Sequence, residues 1–155
     1  KVQHTPPLAK TDVSGYDAIF FPGGHGAMWD LPQDAHVTRI VEAAHGAGKV
    51  IGAVCHGVAG LVSARTSDGQ SIVAGKRVNA FTDDEEDAAG LSAIVPFKLE
   101  SRLRELGGRF EKAPNWLSFA VQDGALVTGQ NPASSLRVAQ LVLQALGTMT
   151  ARAAA

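Results

Sequence analysis

Hydrophobic and polar positions alternate along this chain in short, well-punctuated blocks. Tyr16 to Pro22 (Y-D-A-I-F-F-P) is a brief apolar run stopped by Pro and Gly, the pattern of a buried parallel strand. Asp34 to His45 changes to a helical period, with Ile40, Val41 and Ala44 on one face and Gly46 and Gly48 closing it. Val50 to Val54 is again a continuous apolar strand, and Val58 to Ala64 starts a helix. Ile72-Val73 and Val78 to Phe81 flank Ala74-Gly75-Lys76-Arg77, which predicts a hairpin. Leu99 to Leu106 is a short amphipathic helix closed by Gly107-Gly108. Ala120 to Thr128 reads as strand, Asp123-Gly124 turn, strand. After a Gly129-Gln130-Asn131-Pro132 loop, Ala133 to Leu146 is a helix with Leu136, Ala139, Leu143 and Leu146 at core spacing. Strands alternating with helices, with glycines after the strands, predict an α/β three-layer sandwich around a mostly parallel sheet. In such sheets a site forms at the carboxyl ends of the strands. The Gly23 loop and Cys55 both follow strand ends, so they are expected to face one crevice.

Composition narrows the function classes. The 155 residues suit a single domain, taken as 1–150, followed by a low-complexity tail at 151–155. Net charge is -1 and the basic residues are scattered, so no stripe for nucleic acid is present. No apolar stretch is long enough to span a bilayer, and no charged-then-apolar leader is visible. The single cysteine excludes an internal disulfide and a cysteine-cluster metal site, and it fits a reducing cytoplasm. The opening at Lys1, in a loop-like stretch running to Thr5-Pro6-Pro7, reads as an interior point of a longer protein.

The chemistry concentrates at Val50 to Gly60, V-I-G-A-V-C-H-G-V-A-G. A nucleophile on a sharp strand-to-helix bend is the arrangement of the hydrolase elbow G-x-S-x-G, here Ala53-Val54-Cys55-His56-Gly57 with Gly at one flank only. A cysteine over a helix N-terminus meets unpaired N–H groups that favour thiolate, so Cys55 is expected to be a reactive thiol of lowered pKa rather than core filler. His56 is either its base or a polar residue facing solvent. Gly23-Gly24-His25-Gly26 is either a plain turn or a source of backbone N–H groups for an oxyanion, together with the N–H of His56. The acidic cluster Asp83-Asp84-Glu85-Glu86-Asp87 suits a helix start, and one member of it is a candidate to orient His56. His4, His36 and His45 read as surface residues, and Trp29 and Trp116 as core or, alternatively, as pocket walls. Without an H-x-x-x-H pattern no metal site is assigned.

With these residues placed, the chain resembles the ThiJ/PfpI superfamily, of class I glutamine-amidotransferase-like, flavodoxin-like fold. More closely it is similar to the branch of stress chaperones and glutathione-independent glyoxalases (glyoxalase III). The resemblance rests on F-F-P-G-G-H-G at Phe20 to Gly26, A-V-C-H-G at Ala53 to Gly57, G-K-R-V-N-A-F-T-D at Gly75 to Asp83 and D-G-A-L-V-T-G-Q-N-P-A-S-S at Asp123 to Ser135. It implies Cys55 as nucleophile, His56 as triad histidine and Glu86 as its acidic partner, with Asp83 and Glu85 as alternatives. It further implies Gly24 and His56 as oxyanion amides, with His25 and Gly23 beside the substrate pocket. The family begins with a β-α-β segment, carrying a glutamate that hydrogen-bonds the cysteine, for which these residues show no counterpart.

The function so implied is cysteine-dependent conversion of methylglyoxal-type 2-oxoaldehydes to 2-hydroxy acids, without cofactor, extending to deglycation of proteins. The alternatives are a holding chaperone for unfolded chains, a cysteine amidase or peptidase, and a redox sensor at Cys55. Family members are commonly homodimers, and the resemblance implies the same here, in the cytoplasm, with no nucleic acid or membrane partner.

Overall fold

The computed structural model describes residues 4–153, with side chains as far as Gly147. Lys1 to Gln3 of the expected leading loop lie outside the described residues. Strand β1 (Ala18–Phe21) is followed by a short helix α1 (Ala27–Asp30), helix α2 (Ala35–Gly46) and strand β2 (Val50–Val54). A 3-10 helix, Cys55–Leu61, leaves β2 directly. Then come β3 (Arg77–Val78), α3 (Asp83–Ala88), α4 (Leu99–Glu105), β4 (Arg109–Phe110), β5 (Ala120–Asp123), β6 (Leu126–Gly129) and α5 (Ser135–Ala153).

The main sheet has the order β1-β2-β6-β5. β1, β2 and β6 run parallel, registered at Ala18 with Val50 and Ile51 with Leu126, and β5 returns antiparallel beside β6 through the Asp123-Gly124 turn. The mostly parallel α/β sandwich expected from the pattern is the observed fold. β2 is buried along its whole length because it lies between two strands and two layers of helix. Its side chains divide by the period of two. Ile51 and Ala53 enter one core with Val37, Val41 and Ala44 of α2, while Val50 and Val54 enter the other with Val138, Leu141 and Ala145 of α5. Gly52 is required on the second face, where an added Cβ would lie 2.7 Å from the Phe20 ring and 2.8 Å from Val142.

Helix α2 starts where predicted because Asp34 accepts from the N–H groups of His36 (2.6 Å) and Val37 (3.2 Å). It ends at Gly46, and Gly48 just beyond, at φ +67°, turns the chain away as only glycine does readily.

The structure corrects several expectations. Ile72-Val73 and Val78 to Phe81 do not pair as a hairpin. Ile72 and Val73 are buried in a turn, and β3 instead pairs in parallel with β4, Arg77 opposite Arg109 and Val78 opposite Phe110. The partner strand is more distant because α3 and α4 intervene as a crossover. Of the four core positions expected on α5, Leu146 packs partly buried against the core and the other three do not. Val138, Leu141 and Ala145 are in the core, whereas Leu136 and Leu143 are 72% and 69% exposed and Ala139 is exposed. Two positions of a helix are about 200° apart, so the stripe starting at Leu136 points away from the one starting at Val138. Of the expected tail at 151–155, residues 151–153 continue α5, and Ala154 and Ala155 lie outside the described residues. Trp29 and Trp116 are not core residues but are 42% and 50% exposed.

Candidate active site

Cys55 has a backbone φ of +57°, rare for a side-chain-bearing residue. This is the strained bend of a nucleophile elbow, costing of order 1–2 kcal/mol that the surrounding packing must offset. The glycines around it are demanded by close approach. A Cβ at Gly57 would fall 2.3 Å from the carbonyl oxygen of Phe21 and 2.5 Å from that of Pro22. A Cβ at Gly23 would fall 2.8 Å from the Cβ of Cys55. The loop after β1 therefore lies directly against the elbow. Gly24 takes φ +119°, and the backbone N–H groups of Gly24 and His56 both pull the Cys55 thiol down.

The fold also brings in the acidic cluster. Thr82 caps α3 with a capping box to Glu85, so Asp83 to Glu86 occupy the first turn. Each acid then takes a different direction. Glu86 Oε2 accepts from His56 Nε2 at 2.7 Å, and both groups are buried. With Nε2 as the donor, His56 Nδ1 is left as an acceptor, and it faces the Cys55 sulfur at 3.3 Å. Cys55, His56 and Glu86 thus form one connected chain. Asp83 turns to Ser101, Asp84 to Lys112 and Asp87 to Lys98.

Glu85 points the other way into a buried network. Its Oε1 accepts from the Trp116 backbone N–H (2.9 Å), Gln130 Nε2 (3.1 Å) and Asn131 Nδ2 (2.8 Å), and its Oε2 from the Thr82 N–H (3.1 Å). Burial alone would push this carboxyl up, but these donors outweigh it and hold it below the usual range. Glu85 ties α3 to the loop after β6 and to Trp116, whose φ is +67°. Phe81 stacks on the site, 4.4 Å from the His56 ring and 5.8 Å from Trp116.

The ionisation state differs from the expected low-pKa thiolate. Burial pushes the Cys55 thiol up to about 11, against the pull of the His56 and Gly24 amides, and the nearby Glu85 and Glu86 carboxylates push the same way. Burial likewise pushes His56 down, against its bond to Glu86. Burial thus favours the neutral form of both the thiol and the imidazole. The helix end does supply amides, as expected from position. Burial and two carboxylates reached through the fold are the contributions that position did not reveal.

His25, expected only beside the pocket, reaches further. Its Nε2 lies 3.0 Å from the other oxygen of Glu86, and its ring centroid is 4.0 Å from that of His56. His25, His56 and Glu86 are also the one group of side chains among the described residues able to hold a metal ion, their ligand atoms all within 4.8 Å of one another. No local spacing announced this, because the three residues come from three separate segments. His4 and His36 are exposed and His45 is half-buried on the surface.

A cysteine on a strained strand-to-helix bend, an adjacent imidazole and a carboxylate bonded to that imidazole thus meet at the carboxyl end of a parallel sheet in an α/β fold. The chain belongs to the DJ-1/PfpI family, whose model matches residues 1–145. It is 37% identical over 153 residues to the probable glutathione-independent glyoxalase hsp3103 of Schizosaccharomyces pombe, covering 94% of this chain and 59% of that protein. Among solved structures it is similar to glyoxalase III of Candida albicans, with a TM-score of 0.84 and 30% identity over 89% of this chain and 60% of that one. It is also similar to the Rapid Encystment Protein 24 KDa of Francisella tularensis, with a TM-score of 0.88 and 40% identity over 91% of this chain and 63% of that one. The chain thus spans about 60% of the length of the curated relatives it matches. Among the described residues no helix is long and apolar enough to cross a membrane.

Proposed function

We propose that the chain carries the nucleophilic centre of a glutathione-independent glyoxalase, converting methylglyoxal-type 2-oxoaldehydes to 2-hydroxy acids such as lactate. The observation that carries this reading is the connected Cys55–His56–Glu86 chain beneath the Gly24 and His56 amides. The similarity to proteins named glutathione-independent glyoxalase selects the substrate class from the reactions such a centre could run.

Because the resting sulfur is a thiol, the reaction starts by general-base catalysis. His56 Nδ1 takes the Cys55 proton as the sulfur adds to the aldehyde carbon, and Glu86 stabilises the imidazolium through Nε2–H. The Gly24 and His56 amides receive the oxyanion, an interaction of order 3 kcal/mol for each donor. His56 returns the proton to give a neutral hemithioacetal. Transfer of the C1 proton to C2 yields a 2-hydroxyacyl thioester, and water cleaves it to release the hydroxy acid and the Cys55 thiol. The sum is one aldehyde plus one water giving one acid, with no external electron donor. Hemithioacetals and aminocarbinols on proteins break down to the free thiol or amine and the 2-oxoaldehyde, and the same addition of Cys55 to that released aldehyde supports a deglycase activity. We place the protein in the cytoplasm, as a homodimer, on the same resemblance.

The test is lactate formation from methylglyoxal by wild type and Cys55→Ser. The variant is expected to lose at least about a thousandfold in kcat/KM, and equal rates would end the assignment. A holding-chaperone reading is favoured by one separate observation, the exposed Tyr16, Phe20, Leu136 and Leu143. Suppression of citrate synthase aggregation that persists in Cys55→Ser would assign holding to that surface and turnover to the cysteine.

A further inference from the structure

We propose that His25 Nε2, His56 Nε2 and one oxygen of Glu86 form a zinc-type divalent metal site, and that the bound ion holds the cysteine–histidine pair inactive. The binding claim stands on geometry, and its inhibitory consequence rests on the functional reading above. A catalytic set needs one imidazole on Glu86, and here two converge on it, at 2.7 Å and 3.0 Å on opposite oxygens. A zinc ion with bonds of roughly 2.0–2.1 Å to nitrogen and oxygen in tetrahedral array separates its ligands by about 3.3 Å. The donor atoms already lie within 4.8 Å of one another, and rotation of the Glu86 carboxylate and the exposed His25 side chain brings them to that spacing. Two histidines, one carboxylate and an open fourth position are a donor set that zinc uses elsewhere.

The surroundings favour it further. His25 follows β1, His56 follows β2 and Glu86 sits in the first turn of α3, so each donor is held by a separate anchored segment. The His25 side chain is 37% exposed, which gives an ion a route inward, while His56 and Glu86 are buried. Glu85 adds a second negative charge near the site. Cys55 is not a ligand in this arrangement, because its sulfur meets the opposite edge of the His56 ring at Nδ1.

The proton count is closed. When the ion takes His56 Nε2, the one N–H of that imidazole moves from Nε2 to Nδ1. His56 Nδ1 then carries a hydrogen toward the Cys55 sulfur and can no longer accept the thiol proton. Zinc thereby removes the base without touching the nucleophile.

The experiment titrates Zn2+ into wild type, Cys55→Ser, His25→Ala, His25→Asn and Glu86→Gln by calorimetry, with Co2+ absorption as a second probe. One ion per chain is expected in wild type and in Cys55→Ser, with affinity lowered at least about tenfold in His25→Ala, His25→Asn and Glu86→Gln. The cobalt complex is expected to show d–d bands and no sulfur-to-metal charge-transfer band. Zinc should inhibit wild-type turnover reversibly to chelator, and His25→Asn should need at least about tenfold more zinc for the same inhibition. Binding that disappears in Cys55→Ser, a sulfur charge-transfer band, or binding that survives both His25→Asn and Glu86→Gln overturns the proposal. The functional reading fails separately, through turnover that persists in Cys55→Ser, so the two failures are distinguishable.

Discussion

The carboxyl end of the sheet and the flank formed by β1 and α5 are built on opposite terms. At the carboxyl end, His56, Glu85, Glu86, Gln130 and Asn131 are buried polar groups, and each has a hydrogen-bond partner. At the flank, Tyr16, Phe20, Leu136 and Leu143 are large apolar side chains 44% or more exposed, and an apolar cleft of about 240 Å3 runs along β1 between Leu8 and Ile40. The first region invests polar groups where water is scarce, which is costly unless every member is satisfied. The second leaves apolar surface where water is plentiful. The contrast teaches where function and association reside. On the proposed function, chemistry belongs to the network, and the flank is the surface on which the proposed association or holding would depend. Substitutions at the two regions should therefore differ in kind as well as in size.

The largest effect is expected at Glu86. Glu86→Gln keeps the shape but removes the charge that stabilises the His56 imidazolium. It should lower kcat by roughly two to four orders of magnitude while KM for methylglyoxal changes little. Steady-state kinetics check this, and a purely structural Glu86 would show a lowered melting temperature with kcat intact in the folded fraction. Next is Glu85→Gln. An amide placed there faces N–H donors from Trp116, Gln130 and Asn131 on one side and Thr82 on the other, so one of its ends must be mismatched. A stability loss of about 2–4 kcal/mol is expected from chemical denaturation. The sign with pH follows from the lowered carboxyl. The contribution of Glu85 is present above the ordinary carboxylate range and is lost as pH falls through its depressed value. Wild type should thus lose its advantage over Glu85→Gln on acidification.

A third test concerns the sulfur. A neutral thiol raised to about 11 reacts slowly with iodoacetamide near neutrality, and its rate should keep rising through pH 9 to 11. A rate already at its plateau below pH 8 would mean a preformed thiolate and would replace the general-base step.

Much of this was legible before the fold. The apolar blocks around Phe20 and Val50 gave β1 and β2, the Asp-Gly turn gave β5 and β6, and the elbow gave Cys55 with its neighbour His56. Local pattern suffices there because each feature is encoded within a few residues. It failed where partners are distant. Ile72 to Phe81 has hairpin composition, but β3 pairs with β4 some thirty residues on. His25 meets Glu86 across 61 positions, and Glu85 separates from Glu86 only because adjacent residues on a helix point about 100° apart. Helix α5 carries apolar residues on both faces and packs Val138, Leu141, Val142, Ala145 and Leu146, so that of the stripe expected only Leu146 reaches the core. The lowered thiol pKa expected from the elbow was reversed by burial, which no linear motif encodes.

The smallest effect on folding, and the sharpest on the comparison, is expected at the flank. Leu136 and Leu143 lie seven residues apart on the outer face of α5, two turns along one stripe, and neither belongs to a core cluster of the chain. Replacing both with Lys removes apolar surface from water without opening a cavity, so stability should change by less than about 0.5 kcal/mol per site. Helix propensity is nearly equal for Leu and Lys, which keeps α5 intact. Self-association is a different matter, because two charges in an apolar contact carry a desolvation cost. Sedimentation should therefore show the double variant shifted toward the monomer, and a holding assay should show weaker suppression of aggregation, with kcat per folded chain unchanged. A large loss of stability would show instead that α5 packs its leucines, and an unchanged association state with unchanged holding would remove the flank as a contact surface.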